Sequence, residues 1–462
     1  MNHAPNLSTA DFQRVDAAHH LHPFTDYKAL NAEKSRVITR GDGVWLWDSD
    51  GNRYLDGMAG LWCTQIGHGR REIADAVHRQ MTELEYYNTF FKTTHPAAAM
   101  LSEVLAGLTP DGLDHVFFTN SGSEANDTVF RMVRYYWQLL GKPSKQVIIG
   151  RNLGYHGSTV AAAAMGGMAG MHGQAGMIAG VHHITPPYWF GFGGDMSPDE
   201  FGLWAAKELE RAIDELGEDN VAAFIAEPIQ GAGGVLIPPD TYWPEINRIC
   251  AEREILLVAD EVICGFGRTG KWFGSDTYGI KPDLMPIAKG LSSGYLPIGG
   301  VMVGDRVADV IIGKGGEFYH GYTYSGHPAS CAAALENLRI MRDEKVVERC
   351  AAEAVPYLQE KWFAFADHPL VGEARMQGLV GALELVPDRK DRARCFDNVG
   401  EVGTIARDFS FKNGLIMRAV RDGLIISPPL VITREEIDTL VRHVEKTLDD
   451  TLAELKKQGR MG

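Results

Sequence analysis

At 462 residues the chain exceeds the size at which a single core stops growing, which predicts one large domain plus a smaller one. Hydrophobic residues make up 45% and charged residues 23%, a balance that excludes a disordered or fibrous chain and fits a compact enzyme. The net charge of -15, with no long Lys/Arg cluster, excludes a nucleic-acid backbone as partner.

No apolar run reaches membrane-spanning length, and Met1-Asn2-His3-Ala4-Pro5 lacks a basic region followed by an apolar one. The expectation is a cytoplasmic protein with no membrane partner. Cys63, Cys250, Cys264, Cys331, Cys350 and Cys395 are scattered without paired ligand spacing, which suits free thiols in a reducing compartment better than a disulfide framework or a zinc site.

The first segment carries His19, His20 and His22 ahead of Pro23-Phe24. Such a cluster invites a metal reading, set aside here because no carboxylate or cysteine accompanies it at ligand spacing, so no metal is expected. Val44-Trp45-Leu46-Trp47 and Tyr54-Leu55 then flank Asp48-Ser49-Asp50-Gly51-Asn52, a hairpin pattern with an Asp-Gly turn. Trp62 follows a Gly-broken stretch and fits either core or a pocket wall. A helix is predicted over 72–84, with Ile73, Ala76, Val77 and Met81 at helical spacing. The aromatic run Tyr86, Tyr87, Phe90 and Phe91 reads by itself as core packing.

Val116-Phe117-Phe118-Thr119 enters the turn Ser121-Gly122-Ser123, and a helix with Val129, Met132, Val133 and Trp137 follows. Free N–H groups and a helix dipole converge there, which suits a phosphate; an ordinary helix capped by Ser121 or Ser123 fits equally. No G-x-x-x-x-G-K-[ST] pattern is present, so a nucleoside triphosphate fits poorly. The strand Val147-Ile148-Ile149-Gly150 leads into Gly154-Tyr155-His156-Gly157, where an aromatic ring has the chance to stack on a planar ligand or to fill core. The Gly- and Met-rich stretch 161–180 has little periodicity and reads as loop.

Two more continuous apolar runs end in acids: Val221–Ala226 at Glu227, and Ile255–Ala259 at Asp260. Such runs, separated by helical segments, predict a parallel sheet with its site at the carboxyl edge. Asp260 can hold a proton on a heterocyclic nitrogen, or can cap a helix or pair with Arg268. A third run, Leu284–Ala288, ends at Lys289 before Gly290. A desolvated lysine amine condenses with carbonyls, whereas a solvated strand-end lysine does not. A phosphate turn, an aromatic loop, a strand-end Asp and a strand-end Lys together are the parts that hold pyridoxal phosphate.

On these residues the chain resembles the class III pyridoxal-phosphate aminotransferases, and within them the ω-amine:pyruvate transaminases, including putrescine–pyruvate enzymes. The resemblance runs through Ser121-Gly122-Ser123-Glu124-Ala125, Tyr155-His156-Gly157, Glu227-Pro228-Ile229-Gln230-Gly231, Asp260-Glu261-Val262, Gly265-Phe266-Gly267-Arg268-Thr269-Gly270 and Ala288-Lys289-Gly290. It implies an α/β protein of fold-type I. A large cofactor domain with a mostly parallel sheet would span 71–327, and a small α+β domain would be made from 1–70 and 328–462. It implies a homodimer or higher assembly whose sites are completed across the interface.

In that resemblance Lys289 and Asp260 are catalytic, and Ser121, Gly122, Ser123, Tyr155, His156, Glu227, Val262 and Thr323 hold the cofactor, Thr323 reaching the partner's phosphate. Trp62, Phe90, Tyr155, Ala232 and Arg418 would meet substrate. Two departures bear on specificity: Ile263 stands where ornithine- and γ-aminobutyrate-type relatives often carry Gln, and Ala232 where relatives that gate an arginine carry Glu. Arg418 resembles the family's mobile arginine, suited to a bidentate carboxylate contact.

The implied reaction moves an amino group from a primary amine or diamine to a keto acid, pyruvate, giving an aldehyde or ketone and alanine. A decarboxylase or aminomutase, or a β-alanine or γ-aminobutyrate transaminase, would use the same parts. A catalytically silent cofactor-binding protein is the non-enzyme alternative.

Overall fold

The computed structural model describes residues 7–389, 391 and 394–461, so the reading at 1–5 lies outside the described residues. Its centre is a seven-stranded sheet in the spatial order His115–Thr119, Gly299–Val303, Leu284–Ile287, Leu256–Ala259, Val221–Ala226, Val147–Arg151, Val181–Ile184. Gly299–Val303 runs antiparallel to both neighbours, and the pairings from Leu284–Ile287 onward are parallel. Val221–Ala226, Leu256–Ala259 and Leu284–Ile287 are buried at every position, as a sheet covered on both faces requires.

The period-two alternation divides these strands between two cores. Phe224, Ala226, Leu257 and Ala259 pack with Phe201, Leu209, Trp243 and Ile246 of the helices Pro198–Leu216 and Tyr242–Glu252. Ala223, Ile225, Leu256 and Val258 pack with Val129, Met132, Val133 and Trp137 of the helix Gly122–Leu139. That helix is further pinned by Trp137, whose indole N–H donates to the Ala222 carbonyl at 2.9 Å.

The two ends of the chain meet. The predicted hairpin forms from Trp45–Asp48 and Arg53–Asp56, and Leu415–Ile416 adds to it in parallel through Leu415 opposite Leu55. A second four-stranded sheet joins Val371–Gln377, Val380–Leu385, Gly423–Ile426 and Arg418–Val420. One continuous core links Met285, Ile287 and Met302 of the central sheet to Leu338, Leu383, Leu424 and Leu440. The carboxyl-terminal part is thereby packed onto the central sheet rather than tethered to it. No helix is long and apolar enough to cross a membrane among the described residues.

Three local readings differ from the structure. Within 161–180 lie two short helices, Val160–Met165 and Ala169–Ala175. The first buries Ala162, Ala163, Ala164 and Met165, and Asp127 accepts the Ala162 N–H at 2.9 Å and the Thr159 hydroxyl at 2.7 Å, a cap supplied from another element. The aromatic run is not core throughout: Phe91 is 86% and Tyr87 51% exposed. The histidine cluster does have a carboxylate, because the helix Thr9–His19 sets Asp16 one turn before His20.

Candidate active site

Five of the six strands that point the same way along the central sheet end at one crevice. A cavity of about 820 Å³ opens there, lined by Ser121, Gly122, Ser123, Tyr155, His156, Glu227, Asp260, Val262 and Lys289. These residues lie just beyond Thr119, Arg151, Ala226, Ala259 and Ile287, the last residues of five strands. Side chains at strand ends of a doubly wound sheet converge because the strands share a direction.

The turn at Ser121 starts the helix Gly122–Leu139, with the Ser121 hydroxyl accepting the Glu124 N–H at 3.2 Å. The first-turn N–H groups have no partner within their own helix, so the turn aims donors and a positive dipole end at the cavity. Close approach is permitted by glycine. A Cβ on Gly122 would stand 2.9 Å from the Val262 side chain, and one on Gly157, at φ +139, would stand 2.6 Å from the Ser123 Cα. The Ser123 hydroxyl also accepts the Ser158 N–H at 3.1 Å, tying the two loops together.

Asp260 is almost fully buried, and its carboxylate is held on both oxygens. Oδ2 pairs with His156 Nδ1 at 2.7 Å and accepts from Asn126 Nδ2 at 2.9 Å, while Oδ1 accepts the Val262 N–H at 3.1 Å. Arg268 is no partner of it, donating instead to the carbonyls of Leu379 and Pro428 from a buried position. Asn126 was not singled out in the sequence. Its signal is helical spacing, since it follows Gly122 by one turn on the helix face that meets the cavity. The Asn126 Oδ1 is itself buried without a partner.

Glu227 accepts the N–H groups of Tyr155 at 3.1 Å and Gly231 at 2.9 Å. Burial pushes its carboxyl above the usual carboxylate range. It fixes the loop that presents Tyr155, whose ring lines the cavity and meets the Phe24 ring edge-on at 6.3 Å. Val262, also in the wall, stands opposite this loop against Gly122.

Lys289 adopts φ +44, a left-handed backbone that a lysine occupies only where its surroundings impose it. Lys289 is largely enclosed by protein and lines the cavity, and that desolvation lowers its ammonium below its ordinary value. Its Nζ lies 5.6 Å from the centre of the Trp62 ring, and the Arg418 guanidinium lies 5.3 Å from the same ring. Among the described residues no carboxylate lies within ion-pair distance of either cation.

Trp62 is buried and forms cavity wall, with Ala232, Ile263, Met168 and Arg418 beside it. Its turn is strained, with positive φ at Ala59 and Trp62. The buried Asp56 holds that turn, accepting the N–H groups of Met58 at 3.1 Å and Gly60 at 2.7 Å and pairing with His68 at 2.9 Å. Asp56 was missed in the sequence because its partners come from a turn without regular periodicity. Cys264 is buried, and its thiol is pushed well above the ordinary range, so it is no nucleophile.

Two sequence candidates lie elsewhere in the single chain. Phe90 lines a separate cavity with Phe117, Arg131 and His320. Thr323 is exposed, and its carbonyl accepts the Tyr86 hydroxyl at 2.7 Å.

A desolvated lysine, a buried carboxyl group and a phosphate-type helix turn lining one cavity at the sheet's carboxyl edge define a pyridoxal-phosphate-dependent enzyme of fold-type I. The residues present fit that cofactor: the glycine cradle admits a phosphate, and the Asp260 carboxyl group lines the recess where a ring would lie. A family model described as aminotransferase class-III matches residues 27–448. The chain is 60% identical to a putrescine–pyruvate aminotransferase of Pseudomonas aeruginosa, over 97% of this chain and 98% of that one. It superposes with a TM-score of 0.94 on an (S)-enantioselective omega-transaminase from Thermomicrobium roseum, at 42% identity, covering 97% of this chain and 100% of the other. An omega-transaminase from Pseudomonas jessenii in complex with PMP gives a TM-score of 0.94 at 39% identity, covering 97% and 99%. The chain belongs to the class III aminotransferases, and it is a pyridoxal-phosphate-dependent ω-transaminase.

Proposed function

We propose that the protein transfers an amino group from a primary amine or diamine, of the putrescine kind, to pyruvate, releasing an aldehyde or ketone and alanine. The observation that carries this reading is Arg418, a guanidinium without an ion-pair partner among the described residues, near the same Trp62 ring as Lys289 and beside Ala232, Ile263 and Met168, whereas Arg407, which also lines the cavity, is paired with Asp408. One arginine free of an ion pair beside an apolar wall suits a carboxylate acceptor and an uncarboxylated amine donor in turn. The 60% identity to a putrescine–pyruvate aminotransferase supports the same assignment.

The cofactor, when bound, supplies the electron sink that makes the donor's C–H bond acidic. Gly122 and Ser123 would hold its phosphate with helix-start N–H groups, Tyr155 and Val262 would flank its ring, and Asp260 would keep a proton on the ring nitrogen. His156 and Asn126 orient that carboxylate, and Glu227 orients the Tyr155 loop. Lys289 would be the amine that anchors the cofactor and the base that holds and moves the donor's proton. Arg418 binds the keto-acid carboxylate and swings aside for an amine that has none.

Arg418→Leu separates the two halves of the reaction. The variant should lose roughly 10- to 100-fold in kcat/KM for pyruvate, the loss expected of one charge-assisted hydrogen-bonding group. Its amine half-reaction, followed by the cofactor absorbance on adding putrescine alone, should stay within a few-fold of wild type. An equal loss in both halves would sink the assigned role. Loss of carbon dioxide from an amino acid, or product formation without a keto acid, would favour a decarboxylase or aminomutase.

The protein is further inferred to work as a homodimer with shared sites. Phe91 and Tyr319 are exposed at the cavity that Phe90 lines, and Tyr324 is exposed against Tyr86 beside Thr323, an aromatic surface of the kind that a second copy covers. A second copy seated there would bring Thr323 and Phe90 to its partner's cavity. Sedimentation of the holoenzyme should give twice the chain mass or a multiple of it; a monomer with full activity would refute this. The buried free thiols support a cytoplasmic location, where they stay reduced.

A further inference from the structure

We propose that Asp16, His20 and His22 form a site for one divalent transition-metal ion at the entrance strap of the cofactor cavity. The helix Thr9–His19 places Asp16 and His20 one turn apart on the same face, and His22 folds back beside them as the chain leaves the helix. Asp16 Oδ1 lies 3.0 Å from His20 Nδ1, and Asp16 Oδ2 lies 2.8 Å from His22 Nε2. All three donor atoms fall within 4.8 Å of one another. Ligands about 2.1 Å from a shared ion stand roughly 3 to 3.6 Å apart, so both Asp16–histidine spacings are already near coordination distance, and the two imidazole nitrogens, within 4.8 Å of each other, have at most a short way to close.

The surroundings favour a cation. The cluster sits at the carboxyl end of an eleven-residue helix, where unpaired carbonyls give a partial negative charge. Asp16 and His22 are half-buried and held in place, while His20 is 59% exposed and can turn without disturbing the fold. The Tyr27 hydroxyl donates to the His22 carbonyl at 3.0 Å, fixing the backbone on the far side of the ligand. Two imidazoles and one carboxylate on one side of an ion leave its other side to water. This donor set selects zinc, cobalt, nickel or copper over magnesium and calcium, which prefer all-oxygen shells.

The next two residues give the site a consequence. Pro23 and Phe24 follow His22 directly and line the cavity mouth, where Phe24 meets Tyr155. An ion bridging His22 to the helix ties this strap down at its start.

The test uses the cofactor-loaded enzyme, stripped of metal with a chelator and exchanged into metal-free buffer. Calorimetric titration with zinc chloride is expected to show one ion bound per chain with micromolar affinity. Cobalt chloride should give visible ligand-field bands at longer wavelength than the cofactor absorption. His20→Ala and His22→Gln should each weaken zinc at least about tenfold and remove the cobalt bands. The exposed position of His20 makes its variant a safe control for folding. Wild type that binds no zinc at micromolar concentration, or variants that bind as tightly as wild type, would overturn the proposal.

Discussion

Replacing Lys289 with alanine is expected to reduce amine-to-pyruvate turnover by at least about 10²- to 10⁴-fold, the range assigned to one positioned proton-transfer group, while the protein stays folded and still takes up pyridoxal phosphate. The expectation rests on where Nζ sits. It faces the cavity beside the Trp62 ring, with no carboxylate in ion-pair contact, and burial lowers its ammonium below the ordinary value of 10.5. The neutral amine exists above its own pKa, so lowering that pKa extends the nucleophilic form to lower pH. Capture of the cofactor by wild-type apoenzyme should therefore rise with pH and reach its midpoint below the ordinary lysine value. Uptake by the variant should depend on the phosphate turn alone and lack the absorbance band of lysine-bound cofactor. Wild-type turnover in the variant would remove Lys289 from the reaction.

Asp260→Asn should be the second most damaging change, lowering turnover by roughly a hundred- to a thousandfold, as for loss of one preorganised electrostatic contact. The side chain keeps its shape, so the effect isolates the charge. The amide can still accept from Asn126 or from Val262, but it cannot hold a proton on the ring nitrogen, and His156 loses its anionic partner at 2.7 Å. Cofactor affinity should fall less than turnover, because the phosphate turn is untouched. The measurement is single-turnover amination with putrescine beside cofactor binding by the same variant. A variant as fast as wild type would show that the buried carboxylate serves the fold and not the chemistry.

The substrate reading depends on features of different strength. The lysine, the acid and the phosphate turn would serve the cofactor whatever the substrate. In the proposed function Arg418 and the apolar wall around Trp62 and Ala232 would carry the choice of amine and acceptor, which is why the Arg418→Leu half-reactions should discriminate more sharply than any change at Lys289.

Much of this was legible from local pattern. Buried parallel strands read as continuous apolar runs, and an acid or lysine at the end of such a run stands where strands of common direction deliver their ends. That logic found Glu227, Asp260 and Lys289 and the turn at Ser121. The Asp-Gly hairpin follows from turn chemistry alone. The strand Gly299–Val303 was not singled out in the sequence. With Gly at its first two positions and antiparallel pairing on both sides, its place is set by its neighbours.

By itself, then, the sequence determined the class of sheet, the strand-end residues of the cofactor recess and the resemblance that joins them, because each depends on a few consecutive residues. Tertiary structure decided what needs several elements at once. It set His156 and Asn126 on Asp260, put Asp56 under the Trp62 turn, and brought Arg418 to the same ring as Lys289 from more than a hundred residues away. It placed Phe90 and Thr323 on an exposed face and set Asp16 beside His20 and His22. Distance along the chain carries no record of such meetings, since the energy that creates them lies in burial and in hydrogen bonds between segments that only the packed fold holds together.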